Sequence, residues 1–162
     1  MGIIVSYEVT NNKNLILEIE KNKNSNFDIE SFLNKNRDKI KSFSTFVKSW
    51  NPLYSLLSKI SGNKIFDKLS EYKSGNNFDE YIKLFESKEV NILYDETKKI
   101  TESKIRIALK NDSLKTEISK DEGYNMDYIF DEDSIITEFN ELKDAINFAY
   151  HSNSKLIQIL FP

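Results

Sequence analysis

Residues 43–63 hold the only tryptophan of the chain, one of its two prolines and its densest helical spacing of apolar side chains. Phe43, Phe46, Val47 and Trp50 stand at i, i+3, i+4 and i+7, which predicts an amphipathic helix with that stripe turned inward. Asn51-Pro52 interrupts it. A proline near a helix start loses no needed N–H, so a second helix or a kinked continuation is expected to carry Leu53, Tyr54, Leu56, Leu57 and Ile60, with Gly62 as its C-terminal cap. A segment this apolar on one side needs an equally apolar surface to pack on, and that requirement constrains the rest of the fold.

The chain has the means to meet it. Its 162 residues suit one domain over 1–162, and 11 Phe and 8 Tyr supply bulk for a core although 30% of residues are charged. The net charge of −3 and the scattered lysines carry no basic stripe, so nucleic acid is not an expected partner. With no cysteine there is neither a disulfide framework nor thiolate chemistry. No signal peptide and no run approaching the ~20 apolar residues of a membrane span is visible. A cytoplasmic location without membrane contact is the expectation.

Residues 3–9 read as a strand, being β-branched and aromatic. Residues 15–20 fit either a strand, with Leu15, Leu17 and Ile19 alternating, or a helix burying Leu15, Ile16 and Ile19. Asp28 to Ile40 reads as a helix. After residue 63, short helices are expected around Ile65–Leu69 and Phe78–Phe85, and a strand at Val90, Ile92 and Tyr94. Helices follow over about 102–110, capped by Thr101, over 113–119 and over 134–150, before a last strand at 155–161. Together these predict an α+β fold, a small and mostly antiparallel sheet of N-terminal, central and C-terminal strands packed by several helices.

Four features resemble the YfbM-like family of small bacterial proteins of unknown function. Met1-Gly2-Ile3-Ile4 matches that family's Met-Gly-Met-Ile opening. Lys48-Ser49-Trp50 with Leu53-Tyr54-Ser55-Leu56-Leu57 is similar to its Lys-x-Trp-x-x-Leu-His-x-Leu-Leu-x-Gly segment. Tyr94 and Thr101 precede a helix ending Ala108-Leu109, and the closing helix with Phe139 and Leu142-Lys143 leads to the strand 156–161. The resemblance spans nearly the whole chain and favours the helix for residues 15–20. This chain carries Tyr54 where the family often has His, which puts in doubt any activity that histidine serves. The resemblance implies a fold; it carries over no reaction, cofactor or catalytic residue.

The residues themselves carry no catalytic or metal signature. His151 alone cannot make a multi-histidine zinc site, and it falls where a long helix ends, a favourable place for a surface imidazolium. Four scattered glycines make no phosphate loop. The acidic stretch 121–133 lacks the register of a calcium loop. No cofactor is therefore expected.

Two functional readings remain. The first is a non-enzymatic protein-binding domain, such as an inhibitor or immunity-type protein. It would present Tyr124, Tyr128, Asp131, Glu132 and Asp133 to a basic protein partner, aromatic anchors supplying energy and charge steering the approach. The second is an enzyme or small-ligand binder of the YfbM-like fold with a pocket near Trp50 and Tyr54, which stand four residues apart on one helical face.

Overall fold

The computed structural model describes residues 4–22, 27–44, 49–70, 81–122 and 130–161. Four antiparallel strands form one sheet in the order β2-β1-β4-β3, where β1 is Ile4–Thr10, β2 Lys41–Ser44, β3 Ile82–Phe85 and β4 Lys155–Phe161. The chain's first and last strands are thus the two central ones. Each is bonded on both sides, and each buries side chains on both faces of the sheet.

Val5, Tyr7 and Val9 of β1, with Leu156 and Leu160 of β4, point into the main core. That face is covered by α3 (Trp50–Ser61), α4 (Asp67–Ser70), α5 (Ser87–Thr97), α6 (Glu102–Leu109), α7 (Asp112–Glu122) and α8 (Glu132–His151). The α8 helix lies against β1, β2 and β4 and packs on α3 and α5. The opposite face meets a smaller layer, α1 (Lys13–Asn22) and α2 (Ile29–Lys35). There Leu15, Ile19, Phe32, Leu33 and Ile40 close over Ile157 and Ile159. Among the described residues no helix is long and apolar enough to cross a membrane.

The α+β class and the antiparallel sheet agree with expectation, as does the helix over residues 15–20. It buries Leu15, Ile16 and Ile19, and the Asn12 side chain accepts from the Asn14 and Leu15 amides at its start. Gly62 ends α3 in the left-handed conformation (φ 68°), where a side chain would be strained.

Four segments differ from expectation. Phe43 lies in β2, not on a helix continuous with Trp50. Paired opposite Tyr7, it reaches the Phe148 ring at 5.8 Å, so tertiary pairing overrides the helical spacing. Phe46 and Val47 fall outside the described residues. The helix expected over 28–40 ends at Lys35. A 3-10 turn over Arg37–Lys39 then leads to extended Ile40 and the strand. Residues 82–85 form a strand, not a helix, and pair with β4; Phe78 lies outside the described residues. Residues 90–94, expected as a strand, belong to α5. A capping box between Glu86 and Glu89 starts that helix, and Val90, Leu93 and Thr97 bury at helical spacing while Ile92 and Tyr94 stay half-buried. The strand expected in the middle of the chain therefore exists one segment earlier than the alternation suggested, and it lies at an edge of the sheet.

Candidate functional site

Strand β1 carries polar groups on both of its buried faces, and each face builds a different assembly. On the main-core side, Tyr7 pairs across the sheet with Gln158 and meets α3 and α8. The Tyr7 hydroxyl donates to Glu138 Oε1 at 3.0 Å and stands 2.5 Å from the Tyr54 hydroxyl. A phenol has one proton. With Tyr7's given to Glu138, Tyr54 donates to Tyr7 and itself accepts from Gln158 Nε2 at 3.0 Å. The second Gln158 N–H reaches the Leu69 carbonyl at 3.1 Å. Tyr7, Tyr54 and Glu138 are fully buried. Burial first, then the neighbouring Tyr54 and Glu138, push the Tyr7 hydroxyl well above the usual tyrosine range, so it stays a donor.

This assembly contains Tyr54, one of the two residues expected to line a ligand pocket. The other, Trp50, opens α3 at 6% exposure and lies against Tyr54 with ring centroids 5.9 Å apart. Both side chains fill the main core.

On the other face, Ser6 and Glu8 alternate with Val5, Tyr7 and Val9, so both point towards the α1–α2 layer. Glu8 is 3% exposed, yet it forms the floor of an open cleft of about 320 Å³. Ser6 Oγ donates to Glu8 Oε1 at 2.5 Å, and Ser42 Oγ, from the paired position on β2, donates to Oε2. Ser44 continues the same edge. Leu33 and Asn34 of α2, with Glu30 and Arg37 at either end, make the opposite wall. Ile4 and Phe161, paired at the ends of β1 and β4, close it. Burial raises the Glu8 carboxyl above its ordinary range, only partly offset by the two serine hydroxyls and by the Arg37 charge. Sequence reasoning identified the strand but passed over Ser6, Glu8 and Ser42. The available signal was a polar pair at i, i+2 on a strand whose other side chains demand burial.

The acidic residues expected to meet a partner have separate places. Asp131 caps α8, accepting from the Ser134 amide at 2.9 Å, and hydrogen bonding from the Ser134 hydroxyl and then from that amide holds its carboxyl below the usual range. Glu132 pairs with Arg106 of α6. Asp133 is exposed in the first turn, where a negative charge suits the helix dipole. Tyr124 and Tyr128 lie outside the described residues. His151 is exposed at the last position of α8, edge-on to Tyr94 and Tyr150. Among the described residues, no group of three or more His, Asp or Glu is placed to hold a metal ion.

No family model and no curated protein matches the sequence. Among solved structures, a protein of unknown function from Escherichia coli, YfbM, superposes with a TM-score of 0.53 at 12% identity, covering 97% of this chain and 99% of that one. The fold is YfbM-like. At that identity the likeness concerns the course of the backbone alone. The likeness assigns a role to neither assembly.

Proposed function

We propose that this chain is a small-ligand-binding domain of the YfbM-like family and that its binding site is the cleft over Glu8. One observation carries the reading: a carboxylate almost wholly removed from solvent forms the floor of a cleft that is itself open. A buried carboxyl costs several kcal/mol of desolvation unless it is well bonded, and a chain that needed only packing there would place an apolar residue. A concave site with apolar walls and a few convergent polar groups is the usual form of a small-molecule site. Leu33, Ile4 and Phe161 supply the walls, and Ser6, Glu8, Ser42, Asn34 and Arg37 the polar groups.

This places the site on the sheet face opposite Trp50 and Tyr54. Those two act in our reading as support, holding Tyr7 and so the middle of β1 in place. The test is a fragment screen followed by amide chemical shifts of the full chain. Ligands should perturb Ser6, Glu8, Leu33 and Ser42 together. Hits that map consistently elsewhere would overturn the assignment.

A second reading, an inhibitor or immunity-type protein that binds a basic partner, draws on the exposed acidic start of α8. Asp133→Lys changes that charge without touching the cap at Asp131 or the Glu132–Arg106 pair. It should weaken binding of a basic partner; unchanged affinity would remove this end of α8 from the account.

A further inference from the structure

We propose that the cleft selects its ligand through a primary ammonium group seated on Glu8. The inference rests on the ligand-binding reading above and adds the chemistry of the ligand. Each serine hydroxyl has one proton, and both Ser6 and Ser42 spend theirs on Glu8. With Glu8 ionised, what the floor offers to the cleft is therefore acceptors alone: the remaining lone pairs of Glu8 and those of the two serine oxygens. A ligand must bring the donors. An ammonium group brings three, with a positive charge that the buried carboxylate attracts strongly because little water screens it.

The other ligand chemistries fit less well. An anion would meet the Glu8 charge at close range. A divalent cation needs more oxygen ligands than one carboxylate and hydroxyls that already donate to it. Donors stand at the rim and not on the floor: Arg37 gives its Nε–H to Asn34 Oδ1 at 3.1 Å, and the other N–H groups of a guanidinium suit an acceptor on the part of the ligand away from Glu8. The cleft's volume of about 320 Å³ lies at the small end of ligand sites, so a compact amine fits it.

Binding should be linked to protons. The charged groups facing Glu8 are Arg37 and Glu30, from the α2 wall. The neighbours on β2 are serines, and the residue beside Glu8 on β4 is the apolar Ile157. Burial raises the Glu8 carboxyl and an ammonium favours its ionised form, so the affinity should rise with pH as Glu8 ionises. The amine keeps its own charge to about pH 10.

The experiment titrates the isotope-labelled full chain with n-butylamine, butanoate and 1-butanol, three probes of one shape and different charge, read by amide shifts at pH 5 to 8. The amine should bind at least tenfold more tightly than either of the others and more tightly at the higher pH, with proton release. In Glu8→Gln the tenfold preference should vanish. Ser42→Ala keeps Glu8 and should retain the preference in weakened form, which separates loss of the charge from loss of the fold. Butanoate binding as well as the amine, or Glu8→Gln keeping the preference, would overturn the proposal. If none of the three binds while screened fragments still map to the cleft, the ammonium inference falls and the ligand-binding reading stands. If no fragment maps there either, both fall.

Discussion

Tyr7 and Glu8 are neighbours in the chain and opposites in space, and each buries a polar group that the fold must satisfy. At Tyr7 the solution is a relay of hydrogen bonds from Gln158 through Tyr54 and Tyr7 to Glu138. Removing the middle hydroxyl takes away the donor to Tyr7 and the acceptor of the Gln158 Nε2 bond in a buried site, so Tyr54→Phe should cost about 1–3 kcal/mol. Urea unfolding measures it, and a loss near zero would show that the relay contributes no net stability. At Glu8 the solution is incomplete, as its raised carboxyl indicates. A carboxyl that titrates higher in the folded state than in the unfolded one adds stability that is fully present below the unfolded pKa. That stability is lost as the pH climbs through the folded pKa. Glu8→Gln should therefore gain on the wild type with rising pH, nearly matching it in acid and exceeding it at pH 8. Thermal melts across pH 4–8 test the sign, and a variant less stable at pH 8 than at pH 4 relative to wild type would refute it.

Elements differ in how far their own residues determine them. Helices α6 and α8 were legible because a starting signal and the apolar period agree, whereas α1 fitted a strand as well as a helix by its own residues and only the resemblance favoured the helix that the structure shows. Thr101 accepts from the Lys104 amide at 3.3 Å and Asp131 from the Ser134 amide, each just ahead of an apolar stripe. Strands β1 and β4 were legible because β-branched runs with both faces buried fit little else. Strand β2 was not, since Lys41-Ser-Phe-Ser44 has a single large apolar side chain and becomes a strand by pairing with β1. The Glu8 cleft was illegible for the same reason: most of its lining comes from α2, the turn after it and β2, which only the fold brings beside β1. Helix α5 was misread because Val90, Ile92 and Tyr94 alternate, whereas the residues that pack are Val90, Leu93 and Thr97 at helical spacing. Leu93 is fully buried and Ile92 is not. Leu93→Ala should cost about 2–5 kcal/mol and Ile92→Ala clearly less. The reverse order in chemical denaturation would speak for a strand-like packing of this segment.

At the scale of the whole molecule the sheet is unequally clothed. Among the described residues, six helices and the larger core cover one face, while α1 and α2 hold the other through a small set of side chains around Ile157 and Ile159. Local opening free energies follow the amount of buried apolar contact, so the two layers should not open together. Strands β1 and β4, bonded on both sides, are expected to exchange their amide hydrogens only through global unfolding. The α1–α2 layer, resting on its smaller cluster, is expected to exchange through a partial opening of lower free energy. Native-state hydrogen exchange at increasing denaturant distinguishes the cases: amides of α2 as slow as those of β1, with the same denaturant dependence, would make the molecule a single cooperative unit. The asymmetry bears on function because α2 and its following turn form one wall of the cleft and β1 forms its floor. A ligand bridging Glu8 to that wall would tie the weaker layer to the stronger one. Its binding should slow exchange in α1 and α2 far more than in β4, whose amides already report the global limit.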